Sequence, residues 1–417
     1  MAPWFATPLS AQDWPRWLGP NGDGSVVGGG VFDEATPRHL REAWRREIGS
    51  GYAALSVVAG RAYTLESDDT GDYALALDAS TGSPLWRSRI EGPGAKADDY
   101  TFGILSTPTV DHGQVFALGP NGRFQAFRTE DGQALWSHDL ATTFAANPPS
   151  YGISTSPLVV DQHVVVLVGG LEAHNLVAFE RGSGKVAWSV SHARLGSYAS
   201  PVLATLHGER QIVVPAGDRL YAVHPADGRQ LWSYDGLSYP DRSPLVLPPD
   251  RIFMPLDETG VLVRVQRIES TYRAEASWRA PSLKNSYSPA VSSDGAIFGF
   301  SNRGLLCLDA ASGEVLWQHD LGGTHILVDS HLVILSHMTG RLVIAPASRE
   351  GFRESLSTQA FAEFTIPYTP PSFSDGRIFL RDEGEIVAFE LADGPAPEPI
   401  QLMPADWLGQ ANDERAD

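Results

Sequence analysis

The chain has 417 residues, 42% of them hydrophobic, and a formal net charge of −19. That acidity disfavours phosphate backbones and anionic membrane surfaces as partners, and no apolar run approaches the ~18 residues a membrane helix needs. The 41 glycines and 30 prolines suit many short strands joined by tight turns.

Residues 1–12 are apolar and rich in small side chains, and Leu9-Ser10-Ala11 is like a signal-peptidase site. A basic region and a full apolar stretch are missing, so the segment reads as a truncated signal-peptide remnant. The expected location is periplasmic or secreted. Residues 13–43 read as a leader. Within it Asn21-Gly22-Asp23-Gly24 has only part of a calcium-loop spacing and reads as a turn. Around Trp44 lies a strand pattern, Glu42 to Ile48, with no hairpin of its own.

From there one unit recurs. An apolar strand, a turn with glycine and a Trp-bearing strand appear as Leu77-Asp78-Ala79-Ser80-Thr81-Gly82-Ser83-Pro84-Leu85-Trp86. Equivalent copies end at Trp136, Trp188, Trp232 and Trp317, and a degenerate copy ends at Trp278. The spacing of about 40 to 50 residues is that of four-stranded propeller blades. The glycine tolerates the positive φ of a tight hairpin, and the flat indole can wedge between adjacent sheets. A Ser/Thr-Pro pair opens most units, as in Thr107-Pro108, Ser156-Pro157, Ser200-Pro201 and Ser243-Pro244. The second strand is recognisable in stretches such as Val164-Val165-Val166-Leu167. Seven units begin near Tyr52, Phe102, Tyr151, Tyr198, Tyr239, Tyr287 and His325, the seventh without Trp. An eighth begins near Tyr368 and stops one strand short. The reading is all-β: an eight-bladed propeller over 44–394, with the Trp44 strand completing the last blade, and a tail over 395–417. Closure of this kind removes free sheet edges. No stretch has helical periodicity.

These repeats resemble the quinoprotein (PQQ-like) β-propeller repeat family. That family contains both PQQ-dependent alcohol dehydrogenases and BamB-like, non-catalytic exported propellers, and the length and blade count are similar to the latter. The resemblance covers about residues 13–391 and implies the fold more strongly than a function. In the dehydrogenases it implies PQQ held against a ring of two adjacent cysteines, a calcium site and a catalytic Asp. Cys307 is the sole cysteine, and it lies in an apolar strand, so that ring cannot form and no disulfide joins the chain.

Three sets of residues are candidates for function. The blade tryptophans Trp44, Trp86, Trp136, Trp188, Trp232, Trp278 and Trp317 read as packing residues. Tyr52, Phe102, Tyr151, Tyr198, Tyr239, Tyr287 and Tyr368, with His325 in blade seven, precede the innermost strands. They read either as repeat packing or as an aromatic collar at one channel mouth, where tyrosine suits partner recognition. Asp241-Arg242, Lys284-Asn285 and Asn302-Arg303 fall near the same level. Asp68-Asp69 and Asp98-Asp99 supply too few oxygens for calcium, which takes about six to eight. No His-Glu-x-x-His pattern, nucleophile elbow or complete phosphate loop occurs.

The expectation is a monomeric, non-catalytic propeller that binds a protein partner, with no cofactor and no nucleic acid. One alternative is a quinoprotein oxidoreductase with a divergent site holding PQQ and Ca²⁺. Another is a small-ligand or glycan binder at the channel mouth.

Overall fold

The computed structural model describes residues 13–33, 38–92, 103–145, 151–169, 176–193, 197–238, 241–256, 259–281, 283, 289–364 and 368–394. Eight antiparallel sheets follow one another along the chain. Blades one to six span 56–91, 109–139, 158–190, 202–235, 245–281 and 291–319. Each is a meander of four strands, paired in sequence order. Blade seven spans 323–359, and blade eight joins Ser372–Ser374, Arg377–Arg381 and Glu385–Asp393 to Arg38–Glu47. The closing strand therefore begins at Arg38, earlier than the Trp44 pattern suggests. It runs antiparallel to Glu385–Asp393, with Trp44 opposite Ala388.

The architecture follows from alternation within each strand and from what lies between sheets. Second and third strands are buried almost throughout, as at His163–Leu167 and Leu176–Glu180. Their side chains on both faces fill interblade cores. Cys307 is one of these, fully buried in the third strand of blade six. The first hairpin turn of several blades places two residues at positive φ, as at His112-Gly113, Asp294-Gly295 and Asp375-Gly376, the geometry of a type I′ turn.

The repeat glycine has a second role beyond its φ. The indole of each preceding blade lies over it. A Cβ at Gly82, Gly132, Gly184, Gly228 or Gly313 would stand within 2.7 Å of the ring of Trp44, Trp86, Trp136, Trp188 or Trp278 respectively. Most of these indole N–H groups donate to the carbonyl of a residue in the same hairpin: Trp44 to Ala79, Trp86 to Thr129, Trp136 to Arg181 and Trp188 to Pro225. In blade five the long hairpin at Ile268–Thr271 removes that acceptor, and Trp232 donates to the Gln211 side chain instead.

The Ser/Thr-Pro pairs join blades around the channel. The N–H of Ala54 donates to Thr107 Oγ1 (3.0 Å), Thr107 to Ser156 Oγ (3.0 Å), Ser156 to Ser200 Oγ (2.9 Å) and Ser200 to Ser243 Oγ (3.3 Å). A second set of hydroxyls donates to the next blade's carbonyls. Ser56 reaches Pro108, Thr109 reaches Pro157, and Ser372 reaches Leu55 across the closure.

Two features depart from the sequence reading. A short helix, Leu140–Phe144, follows blade two; Asp139 caps it by accepting from the N–H of Thr142. The leader is not a passive lead-in either. Ser25–Val26 pairs parallel with Leu327–Val328 as a fifth, innermost strand of blade seven.

Candidate functional site

Strand direction sorts the loops into two faces. The innermost strands run from the Tyr52 end to the first hairpin turn. The Trp hairpins share that turn's face, since the N–H of Ala79 donates to Gly60 and that of Thr129 to Gly113. The opposite face carries the turns between second and third strands and the crossings between blades. This is where the predicted collar belongs.

The leader occupies the turn face of the channel. Trp14 bridges Val57 of blade one, Pro15 accepts from Val110 of blade two, and the indole of Trp17 donates to Ser243 of blade five. Gly24 lies against Val291 of blade six, and Phe32 lies near Phe373 of blade eight. The N–H groups of Gly28 and Gly30 donate to the Asp329 carboxylate of blade seven. Trp14 and Leu18 are 1% and 2% exposed, as in a core. Arg16 is half-buried; its guanidinium donates to the carbonyls of Gly19 and Pro20, and desolvation holds its pKa below the ordinary arginine value. An open cleft of about 800 Å³ lies on this face, between the leader and blades one and two, with Asp13, Asn21, Arg61 and His112 among its lining residues. It is remote from the collar.

On the collar face the structure brings some predicted residues together. The Tyr52 and Tyr368 rings meet edge-on at 4.7 Å, across the ring closure. Tyr151 and Tyr198 stand 6.1 Å apart, and the Tyr198 hydroxyl accepts from the N–H of Tyr151. Tyr52 donates to Glu383 (3.4 Å); burial first, then the Glu383 charge, pushes its hydroxyl pKa well up. Tyr52 itself is 8% exposed, whereas Tyr151 is 59% exposed. Arg242 is nearly buried and pairs with Asp241, and Arg303 is exposed in a blade-six turn. Phe102, Tyr239, Tyr287, Lys284, Asn285 and the Asp98-Asp99 pair lie outside the described residues. Asp68 is paired with Arg87.

His325 does not belong to the collar. Thr324 and Thr369 make the same bond to the next blade, to the carbonyls of Thr369 and Tyr52. That register puts Tyr368 one residue before its threonine and His325 one residue after. The imidazole is consequently buried, edge-on to Phe300 at 5.2 Å, and burial pulls its pKa down to about 4.

Beneath the collar, Arg381 fastens blade eight to blade one. It is fully buried and donates to the carbonyls of Ala53 and Leu65 and to Thr64 Oγ1. Burial lowers its pKa to about 10, which leaves it charged at neutral pH.

Two exposed apolar residues on this face escape sequence reasoning. Met338 lies in the turn between the second and third strands of blade seven. Phe364 lies in the crossing to blade eight, and its N–H donates to the Met338 carbonyl (3.1 Å). They are 51% and 70% exposed. The only signal in the sequence is a Met where other blades place polar turn residues.

Among the described residues no group of three or more His, Cys, Asp or Glu side chains could hold a metal ion. The ring of two adjacent cysteines that the quinoprotein dehydrogenases imply beside PQQ cannot form from a single cysteine. The chain's one thiol is buried within blade six, with its pKa pushed up to about 11 by burial.

Comparison with known proteins agrees with this architecture. A family model described as outer membrane protein assembly factor BamB matches residues 31–172, 143–246 and 172–396. Outer membrane protein assembly factor BamB of Bordetella pertussis is 24% identical over 346 residues, covering 78% of this chain and 79% of that protein. BamB from Moraxella catarrhalis superposes with a TM-score of 0.62 at 14% identity, covering 84% of this chain and 99% of that one. Quinohemoprotein alcohol dehydrogenase ADHIIG from Pseudomonas putida HK5 does so equally, at 0.62 and 14%, over 93% and 82%. The two superpositions share the fold and do not discriminate between binding and catalysis.

Proposed function

Because this chain belongs to the PQQ-like repeat family of outer membrane protein assembly factor BamB, we propose that it is an exported, non-catalytic propeller that binds protein partners through its collar face. The observation that carries the reading is the division of labour between the two faces. On the turn face the leader is fastened into the channel by the buried Trp14 and Leu18, and the collar face presents paired tyrosines together with the exposed Met338 and Phe364. Aromatic residues of this kind contribute rigid, amphipathic contact area. The net charge of −19 favours basic partner surfaces. A periplasmic location is part of the proposal and rests on the family and on the N-terminal segment. No helix among the described residues is long and apolar enough to cross a membrane.

The proposal includes no resident cofactor, since the buried thiol of Cys307 offers nothing to a quinone. Photo-crosslinking tests the face. A benzophenone side chain is placed at Tyr151 or, as the control, at Val27 on the leader face, and the chain is produced in an export-competent bacterium. Discrete protein adducts from position 151 and none from position 27 are expected. Adducts from position 27 alone, or from neither, would overturn the proposal.

A further inference from the structure

Blade seven, the one without a Trp, carries a feature that the aromatic collar does not explain. Met338 and Phe364 are far apart in sequence, yet a backbone hydrogen bond of 3.1 Å holds them side by side on the collar face. Large apolar side chains are usually turned inward at such loops, and Phe361, three residues earlier, is 3% exposed. Phe364 also has a φ of +60°. Most other non-glycine residues with positive φ lie in hairpin turns, where that conformation is required. For a bulky residue in a crossing loop it is strained. A strained, 70% exposed phenylalanine beside an exposed, adaptable methionine is the makeup of a contact surface.

The surroundings give the charge of the missing contact. Glu363 precedes Phe364 and is exposed, and Glu383 stands exposed in the corresponding turn of blade eight. The guanidiniums near this sector are committed elsewhere. Arg45 lies over the Phe361 ring at 5.8 Å and pairs with Glu42 and Glu385, and Arg341 pairs with Glu354. Glu363 and Glu383 therefore have no basic partner among the described residues. We infer that the Met338–Phe364 patch, flanked by Glu363 and Glu383, receives a partner segment bearing an aliphatic or aromatic side chain between Arg or Lys residues. This rests on the collar-face reading above and assigns it a sector and a chemistry.

Short fluorescein-labelled peptides with a Leu-Ser-Phe core, flanked by Arg or by Glu, are titrated against the full chain by fluorescence anisotropy. The Arg-flanked peptide is expected to bind at least about tenfold tighter than the Glu-flanked one, and to weaken as salt rises. The double variant Met338→Ser/Phe364→Ser should lose about tenfold in affinity. Glu363→Gln/Glu383→Gln should flatten the salt dependence. All four positions are exposed, and an amide at position 383 can still accept from Tyr52, so circular dichroism and the melting temperature should stay as in the parent chain. Binding that ignores the flanking charge, that survives both double variants, or that is missing for both peptides would overturn the inference. Binding lost in Tyr151→Ala but kept in both double variants would keep the collar-face function while removing this sector from it.

Discussion

Trp86 and Trp278 occupy equivalent places in blades one and five, but they are not equivalent in energy. The indole N–H of Trp86 donates to Thr129 at 2.9 Å. That of Trp278 is buried without an acceptor, while the Ala310 carbonyl of the next hairpin accepts from Arg251. Removing a satisfied hydrogen bond costs about 1 kcal/mol, and removing an unsatisfied buried donor relieves a penalty of similar size. Trp86→Phe should therefore destabilise the chain by about 1 kcal/mol or more beyond Trp278→Phe in urea unfolding. Equal losses would contradict the assignment of the two indoles. Two further residues set opposing pH responses. An unfolded imidazole titrates near ~6.5, and His325 is held near 4 when folded. Between those values the unfolded chain binds the extra proton, so His325 makes stability fall as pH drops through that window, by up to about 3 kcal/mol. Glu91 acts the other way. Burial pushes its carboxyl up to about 7, above the ~4.3 of an unfolded glutamate. The folded chain binds the extra proton, and stability falls as pH rises through that interval. His325→Gln should narrow the stability gap between pH 7 and pH 5, and Glu91→Gln should widen the loss on acidification. Urea midpoints at the two pH values decide this, and shifts of the same sign would refute it.

At the scale of elements, the ring is held by joints between blades as much as by the sheets themselves. The Ser/Thr-Pro repeat was legible as a strand opener; its meaning as a belt of hydrogen bonds was not, because each bond joins residues more than 40 positions apart. The closing joint is the most concentrated. Arg381 has no carboxylate bonded to it and satisfies blade-one backbone and hydroxyl acceptors instead. Arg381→Met would remove several hydrogen bonds at once from this dry joint, a loss of about 2–4 kcal/mol. Thr109→Val in the belt removes one bond, about 1 kcal/mol. Differential scanning calorimetry should rank the two in that order; the reverse ranking would mean that the closure is not where the ring is fastened. Blade count and the Trp44 closure were readable because Gly and Trp recur at fixed offsets. His325 was misplaced because blade seven lacks the Ser/Thr-Pro pair that fixes register elsewhere.

The whole molecule is a ring with one face occupied by its own leader. That was not legible in the sequence. Residues 13–33 are rich in Gly and Pro, without alternation, and read as turns. What organises them is the curved inner wall of the propeller, which supplies partners from blades distant in sequence. Trp14, with 1% exposure and its ring against Gly19, anchors the segment. Trp14→Ala should cost about 3–5 kcal/mol and speed hydrogen exchange at Val57, Val110, Leu327 and Asp329, whose N–H groups donate to the leader. Unchanged exchange at those four amides would show that the leader is not held there.

We propose that this ring recognises proteins and performs no quinone chemistry. Equilibrium titration of the purified chain with PQQ in the presence of Ca²⁺, followed by a dye-linked alcohol oxidation assay, tests it most directly. The prediction is no saturable stoichiometric binding and no dye reduction above the protein-free rate. Tight one-to-one binding with alcohol-dependent dye reduction would contradict it.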